Sequence, residues 1–252
     1  MFHTFRDLKG VAVRASDEPK GTVDDFFFDD EDWRVRYLVA GIGFWLVGRQ
    51  CLISAELLQS PDLRTRQLPV LITAGEMSKA PRPEDEPPVS MQEEEARTPE
   101  AGYWPPFLVG AVGMGYTPVL ADAQIRAAIP SAAGDTADVR PSGDPHLRSM
   151  SELIGYEIAA TDGRIGSVSD LLINPLDWRV KYIVIDTGGW LPGREVILAP
   201  NWTSSIDWAS RSWIVDVTKR QVENSPETRN VAGLQRSDEQ AIYDHYGAPP
   251  YW

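Results

Sequence analysis

Asp32-Trp33-Arg34-Val35-Arg36-Tyr37 returns 145 residues later as Asp177-Trp178-Arg179-Val180-Lys181-Tyr182, and that recurrence decides how the chain is built. Working outward at the same offset, Leu8, Gly10, Asp17, Gly21, Val23 and Asp25 fall on Leu153, Gly155, Asp162, Gly166, Val168 and Asp170. Downstream, Trp45-Leu46 and Gly48-Arg49 fall on Trp190-Leu191 and Gly193-Arg194, and Val70, Thr73 and Pro81 on Val215, Thr218 and Pro226. Weaker matches, Glu94 with Glu239 and Gly102 with Gly247, extend the register. Tryptophans and glycines held in one register over such a length mark an internal duplication.

The repeat sets the domain boundaries. Residues 1–106 form the first copy and 148–252 the second. Residues 107–147 lie between them, rich in Ala, Gly and Pro, a composition suited to a linker without its own core. A short helix is expected over Ala121 to Ile129.

The second copy shows the strands most clearly. Tyr156 to Ala160 leads into Thr161-Asp162-Gly163, a turn in which glycine supplies the positive φ. Gly166 to Ile173 is expected as a second strand, followed by the corner Asn174-Pro175-Leu176-Asp177. Across Trp178 to Asp186, Val180, Tyr182 and Val184 alternate with Lys181, Ile183 and Ile185, the period of a strand. Glu195 to Leu198 and Trp213 to Val217 complete five short strands. Such strands, joined by Gly and Pro turns, close into a small barrel. Behind them Thr218 is expected to cap a helical turn over Lys219 to Asn224, and Ser237 to Tyr246 a short helix stopped by Gly247. Tyr251 and Trp252 are expected to fold back onto the barrel, since two exposed rings are costly.

These residues resemble the PRC-barrel family, the β-barrel of the photosynthetic reaction centre H subunit and of the C-terminal domain of the ribosome maturation factor RimM. The resemblance rests on Leu153 and Gly155, the turn Asp162, Gly163 and Gly166, and Val168 with Asp170. Trp178 to Val184 and the loop Gly188, Trp190, Gly193, Arg194 complete it. Copy one departs from the pattern in two loops, with Asp17-Glu18-Pro19-Lys20 at the turn and Gly41-Ile42-Gly43-Phe44 before Trp45. The expected fold is therefore mainly β: two tandem small PRC-type barrels, each with a short helical C-terminal extension. Gly10, Gly21, Asp25, Trp33 and Tyr37, with Gly155, Gly166, Asp170, Trp178 and Tyr182, are the positions that define the repeat. What the resemblance implies for function is a scaffold role, with association to a photosynthetic or membrane electron-transport complex as an analogy.

Composition narrows the functional classes. A net charge of −13 and a pI near 4.7, with Lys and Arg scattered singly, oppose binding to nucleic acid or to anionic lipid. No signal peptide and no membrane-spanning stretch are visible, so a cytoplasmic protein is expected. The lone Cys51 sits in an apolar run as a buried thiol. His3, His146 and His245 are too far apart in sequence for a ligand motif, so no metal site and no cofactor are expected. Asp29-Asp30-Glu31-Asp32 lacks the central Gly and terminal Glu of a calcium loop, and reads as a solvated hairpin turn. Ser204-Ser205 and Gly113-Met114-Gly115 fit neither a nucleophile elbow nor a phosphate loop.

Two constellations remain. Asp25 and Asp170 are either paired carboxylates for general acid–base work or acceptors for backbone N–H groups or an arginine, with Arg34 and Arg179 as the candidates. Trp45 with Arg49, and Trp190 with Arg194, flank equivalent loops; each Trp either caps its own barrel or joins its Arg in an interface. The reading is a non-catalytic scaffold or adaptor for a protein partner, its two barrels packed as an intrachain pseudo-dimer. A small-ligand or metal-binding barrel is the alternative, and an enzyme using Asp25 and Asp170 the third.

Overall fold

The structure is a computed structural model and describes residues 1–43, 48–92, 144–189, 191, 194–227 and 231–252. In chain order the first repeat runs β1 (His3–Thr4), α1 (Phe5–Leu8), β2 (Ala12–Arg14), β3 (Pro19–Asp29), β4 (Val35–Ile42), β5 (Arg49–Ser54), β6 (Gln67–Pro69) and α2 (Ala74–Met77). The second runs β7 (Leu147–Ser149), α3 (Met150–Leu153), β8 (Glu157–Ala160), β9 (Gly163–Asn174), β10 (Arg179–Asp186), β11 (Glu195–Leu198), β12 (Thr203–Asp207), β13 (Ser212–Val215), α4 (Lys219–Glu223) and α5 (Arg236–Tyr246). The chain is mainly β, as expected. Met1–Val89 and Gly143–Trp252 lie in one compact unit and Ser90–Ser142 in a second, so the boundary falls before residue 106, at which the sequence ends the first repeat.

Each repeat builds its own sheet, in the order β5-β4-β3-β2-β6 and β11-β10-β9-β8-β13-β12. Neighbours are antiparallel except where β6 runs parallel to β2 and β13 to β8. The strand β12 escaped the sequence reading because Thr203-Ser204-Ser205 is polar and half exposed. In the first repeat its counterpart is reduced to the isolated bridges Leu58–Val70 and Asp62–Gln67.

The long strands β3 and β9 carry the arrangement. Their first halves pair within their own repeat, and their last residues accept a strand from the other. Phe27, Phe28 and Asp29 pair with Ser149, Arg148 and Leu147 of β7, while Ile173 and Leu172 pair with His3 and Thr4 of β1. The strand-and-turn opening of each repeat is thus exchanged. It rides on the partner barrel's sheet and seals that sheet's free edge.

The recurring Asp-Trp-Arg segment sits where the two repeats meet. Trp33 and Trp178 have φ of 59° and 50°, so each is a left-handed turn residue and not the first residue of a strand. This bend is uncommon for a bulky side chain. It places Val35 N–H on the Trp178 carbonyl at 2.7 Å and Val180 N–H on the Trp33 carbonyl at 2.9 Å. Between them Arg34 and Arg179 form an antiparallel bridge. Each indole then enters the other repeat: Trp33 stacks on Trp213 with centroids 5.1 Å apart, and Trp178 meets Phe26 at 5.6 Å. The result is one continuous core across both repeats, with a small satellite of Phe27, Val39, Leu52, Leu147 and Tyr37.

The tail follows the sequence reading closely. Thr218 and Gln221 form a capping box on α4, and Gly247 ends α5 in the left-handed conformation. Thr73 and Glu76 make the equivalent box on α2. Tyr251 and Trp252 turn back onto Tyr243 of α5, with centroids 6.1 and 5.3 Å away, but stay 38% and 45% exposed, so the rings are not buried on the barrel as expected. No helix among the described residues is long and apolar enough to cross a membrane.

Candidate functional site

Closure of each barrel brings a glycine against the facing strand. A Cβ on Gly21 would lie 2.3 Å from the Gly41 carbonyl oxygen, and one on Gly166 2.2 Å from that of Asp186. Beside this contact each barrel has an open mouth. In the first repeat a cleft of about 660 Å³ is lined by Thr22, Asp24, Gly43, Arg49, Arg82 and Glu84. In the second, one of about 420 Å³ is lined by Arg164, Ser167, Asp186, Thr187, Gly188 and Lys219. The two clefts occupy equivalent positions of the repeat, but their charges differ. The first mixes acids and arginines, and the second offers Arg164 and Lys219 against Asp186.

Of the predicted interface residues, Arg49 lines the first cleft, while Arg194 does not line the second. Trp45 and Trp190 lie outside the described residues. Arg49 and Arg194 are described, and each reaches back into its own repeat. Arg49 donates to the Ala80 carbonyl at 2.9 Å, just beyond α2. Arg194 donates to the Glu223 carbonyl at 2.8 Å and to the Ser225 carbonyl, at the end of α4. A guanidinium on the orphan carbonyls of a helix C-terminus is a capping arrangement. Both arginines thus bond to the segment that follows the equivalent helix, and their two Nε atoms are buried with no hydrogen bond among the described residues.

Asp25 and Asp170 are both acceptors, but not for Arg34 or Arg179. Asp25 takes the Ser149 hydroxyl at 2.5 Å and the Ser151 N–H at 3.0 Å, from the opening of repeat two. Asp170 takes the Arg6 N–H at 3.1 Å, from the opening of repeat one, with the Arg6 guanidinium 3.7 Å away. Each also accepts from the residue after it, Phe26 and Leu171. The exchange is what supplies these partners: each carboxylate holds the first turn of the other repeat's α1 or α3. Burial pushes both carboxyl groups above the usual carboxylate range, with these hydrogen bonds opposing it. Arg179 instead pairs with Asp32 at 3.4 Å.

The acidic hairpin Asp29 to Asp32 is a second staple. Asp29 holds Arg36 at 2.5 Å, while Asp30 holds Arg148 at 2.7 Å and His146 at 2.9 Å from the other repeat. The Asp30 bond raises the His146 pKa. Arg148 also stacks over Trp208, 4.2 Å from the ring. Sequence reasoning missed Arg148 and His146 because nothing in their spacing shows which acids they meet. No group of three or more metal-ligating side chains comes together among the described residues.

A third cleft, of about 600 Å³, opens where the start of β4 faces the corner Pro175 to Trp178. On the opposite repeat, Tyr182 and Glu239 are buried against each other: the phenol donates to the carboxylate at 2.8 Å, and Tyr251 donates to the same oxygen at 2.7 Å. Burial first, then the carboxylate, drives the Tyr182 phenol far above its ordinary pKa. The neighbouring Tyr243 is pushed up to about 12, chiefly by burial.

Comparison with known proteins fits this architecture. The PRC-barrel domain profile matches residues 1–77 and 145–222, one match in each repeat. An uncharacterized protein of Deinococcus radiodurans is 32% identical over 82 residues, covering 32% of this chain and 29% of that protein. The chain therefore spans less than a third of the length of this relative.

Proposed function

The chain belongs to the PRC-barrel domain family, and from that premise we propose that it is a non-catalytic scaffold or adaptor that grips a protein partner through its barrels. The observation that carries the reading is the use made of the buried polar groups. Asp25 and Asp170 are held by the other repeat's opening turn, and Glu239 accepts from two phenols. Groups with such partners hold the fold together, and a reacting centre needs a group free to exchange a proton or attack.

The chain is on this reading a homodimer of single barrels fused into one polypeptide. The support is reciprocity: β1 on β9 answers β7 on β3, and Trp33 on Val180 answers Trp178 on Val35. A contact in which residue i meets j and j meets i is the signature of a twofold interface. An intracellular bacterial adaptor with two equivalent barrel mouths is the resulting picture.

The test is affinity capture from the host lysate with wild type and a folded Trp45→Ala/Trp190→Ala variant, followed by reconstitution with the purified partner. A partner held by wild type and lost by the variant supports the adaptor reading. Equal capture by both removes the mouths as its surface. No specific capture turns attention to small ligands in the mouth clefts.

A further inference from the structure

Repeat two opens on a bond whose chemistry sets it apart. Asp144-Pro145 is the one Asp–Pro pair in the sequence, and both residues are exposed. The bond is a tertiary amide, and the basic prolyl nitrogen leaves more readily than an ordinary peptide nitrogen once it gains a proton. A tight turn surrounds it. The Asp144 carboxylate accepts the His146 N–H at 2.9 Å, which folds the side chain back over its own peptide group. The Asp144 carbonyl accepts the Leu147 N–H at 3.3 Å. The leaving side is anchored on the acidic hairpin. The His146 carbonyl accepts the Asp30 N–H at 3.0 Å, and its imidazole lies 2.9 Å from Asp30 and 3.6 Å from Glu31. Arg148 holds Asp30 at 2.7 Å, and Leu147 pairs with Asp29 in the ladder.

We propose that the chain cuts itself once at this bond, with Asp144 as the nucleophile. The proposal goes beyond the adaptor reading and does not depend on it. A carboxylate oxygen of Asp144 adds to the carbonyl carbon of the same residue, and the Leu147 N–H stays on the oxyanion that forms. The carbon–nitrogen bond to Pro145 then breaks, its electron pair stays on nitrogen, and a proton from solvent completes the secondary amine. The cyclic anhydride left on residue 144 is opened by water. The sum is one peptide bond and one water converted to a carboxyl group and an amine, with no oxidant or reductant. The turn supplies the proximity that an unfolded chain lacks. Because the opening segments are exchanged, the products stay joined through β7 on β3 and β1 on β9.

The test is incubation of the full chain at about pH 5.5, where the leaving nitrogen is readily protonated and an imidazole is cationic. With Asp30, Glu31 and Asp144 facing it and Arg148 beside Asp30, His146 keeps its charge there and the turn its anchor. Mass spectrometry is expected to find fragments 1–144 and 145–252, formed with first-order kinetics independent of concentration and of protease inhibitors. The rate is expected to be at least about tenfold above that of the urea-unfolded chain at the same pH. Added hydroxylamine is expected to appear as an adduct on residue 144, and the fragments to co-elute in native gel filtration. Asp144→Asn keeps an acceptor for the His146 N–H but loses the nucleophile, and is expected to stop the cut; circular dichroism checks that it folds. An intact chain after days overturns the proposal. So does scission as fast in urea, which is generic acid lability, or scission that Asp144→Asn or a protease inhibitor leaves respectively unchanged or abolished. Cleavage without the adduct overturns the anhydride route, and fragments that elute apart overturn the joining by exchanged strands.

Discussion

Gly21→Ala is the substitution that tests most directly how the barrels close. Gly21 has φ of +92°, and a Cβ there would lie 2.3 Å from the Gly41 oxygen and 3.2 Å from its carbon. Gly41 is a rung of two ladders, opposite Thr22 on β3 and Gln50 on β5, so its carbonyl cannot retreat without disturbing both. Holding an alanine at that φ costs about 1–2 kcal/mol. Forcing the backbone apart adds about 1–3 kcal/mol, as overpacking does in a filled interior. The stiffer unfolded chain offsets about 0.5–1 kcal/mol. The net loss is about 2–3 kcal/mol, or about 5–10 °C in Tm for a chain of this size. Gly10→Ala is the control: φ is +75° and nothing lies within 4 Å of the added Cβ, so the backbone cost stands alone, at about 1 kcal/mol net. Urea unfolding followed by tryptophan fluorescence reads both. If Gly21→Ala lies within ~0.5 kcal/mol of Gly10→Ala, the close approach of β3 and β4 is not what requires glycine.

Three further outcomes follow from the buried polar groups. The folded-state pKa of Asp25 is raised by burial, so its contribution to stability is fully present below the unfolded value of about 3.9 and is lost as pH rises through the folded value. The stability of wild type relative to Asp25→Asn should therefore decline from acid toward neutral pH in urea titrations, and a difference that grows with pH contradicts the assignment. Glu239→Gln should cost about 1–3 kcal/mol, because Tyr182 and Tyr251 then donate to a neutral amide oxygen and the Arg236 ion pair on the other carboxylate oxygen is lost. Limited proteolysis should then cut α5 earlier than in wild type, and unchanged protection would contradict Glu239's role in holding α5 to β10. Arg194→Ala should destabilise by about 1–2 kcal/mol and increase amide exchange over α4, since the Glu223 and Ser225 carbonyls lose their donor; exchange rates equal to wild type would contradict the capping role.

Much of the fold was legible because its signals are local. Alternation in Val180 to Ile185 marks β10, the Asp162-Gly163 turn opens β9, and Thr218 and Gly247 mark helix ends through their own hydrogen bonds and φ. The duplication was legible because one register recurs, and the structure repeats it in paired positive φ at Gly10 and Gly155, Trp33 and Trp178, and Arg66 and Arg211. Even where copy one departs from the turn pattern, Asp17 accepts from the Ala74 N–H at 2.8 Å as Asp162 does from that of Lys219 at 2.7 Å.

The sequence by itself thus determined the repeat, the barrel class and most strand positions. Tertiary structure alone decided which repeat each opening segment serves, and with it the partners of Asp25 and Asp170. The physical reason is that the two openings and the two receiving edges follow the same alternation of apolar and polar residues, so no local pattern distinguishes docking at home from docking across. The choice is made by chain geometry, when the end of β3 finds β7 and Ser149 reaches Asp25 from 124 residues away. The same holds for Arg49 and Arg194. An arginine beside a loop carries no mark of whether it faces a partner or a helix end until the barrel closes and brings that helix end to it.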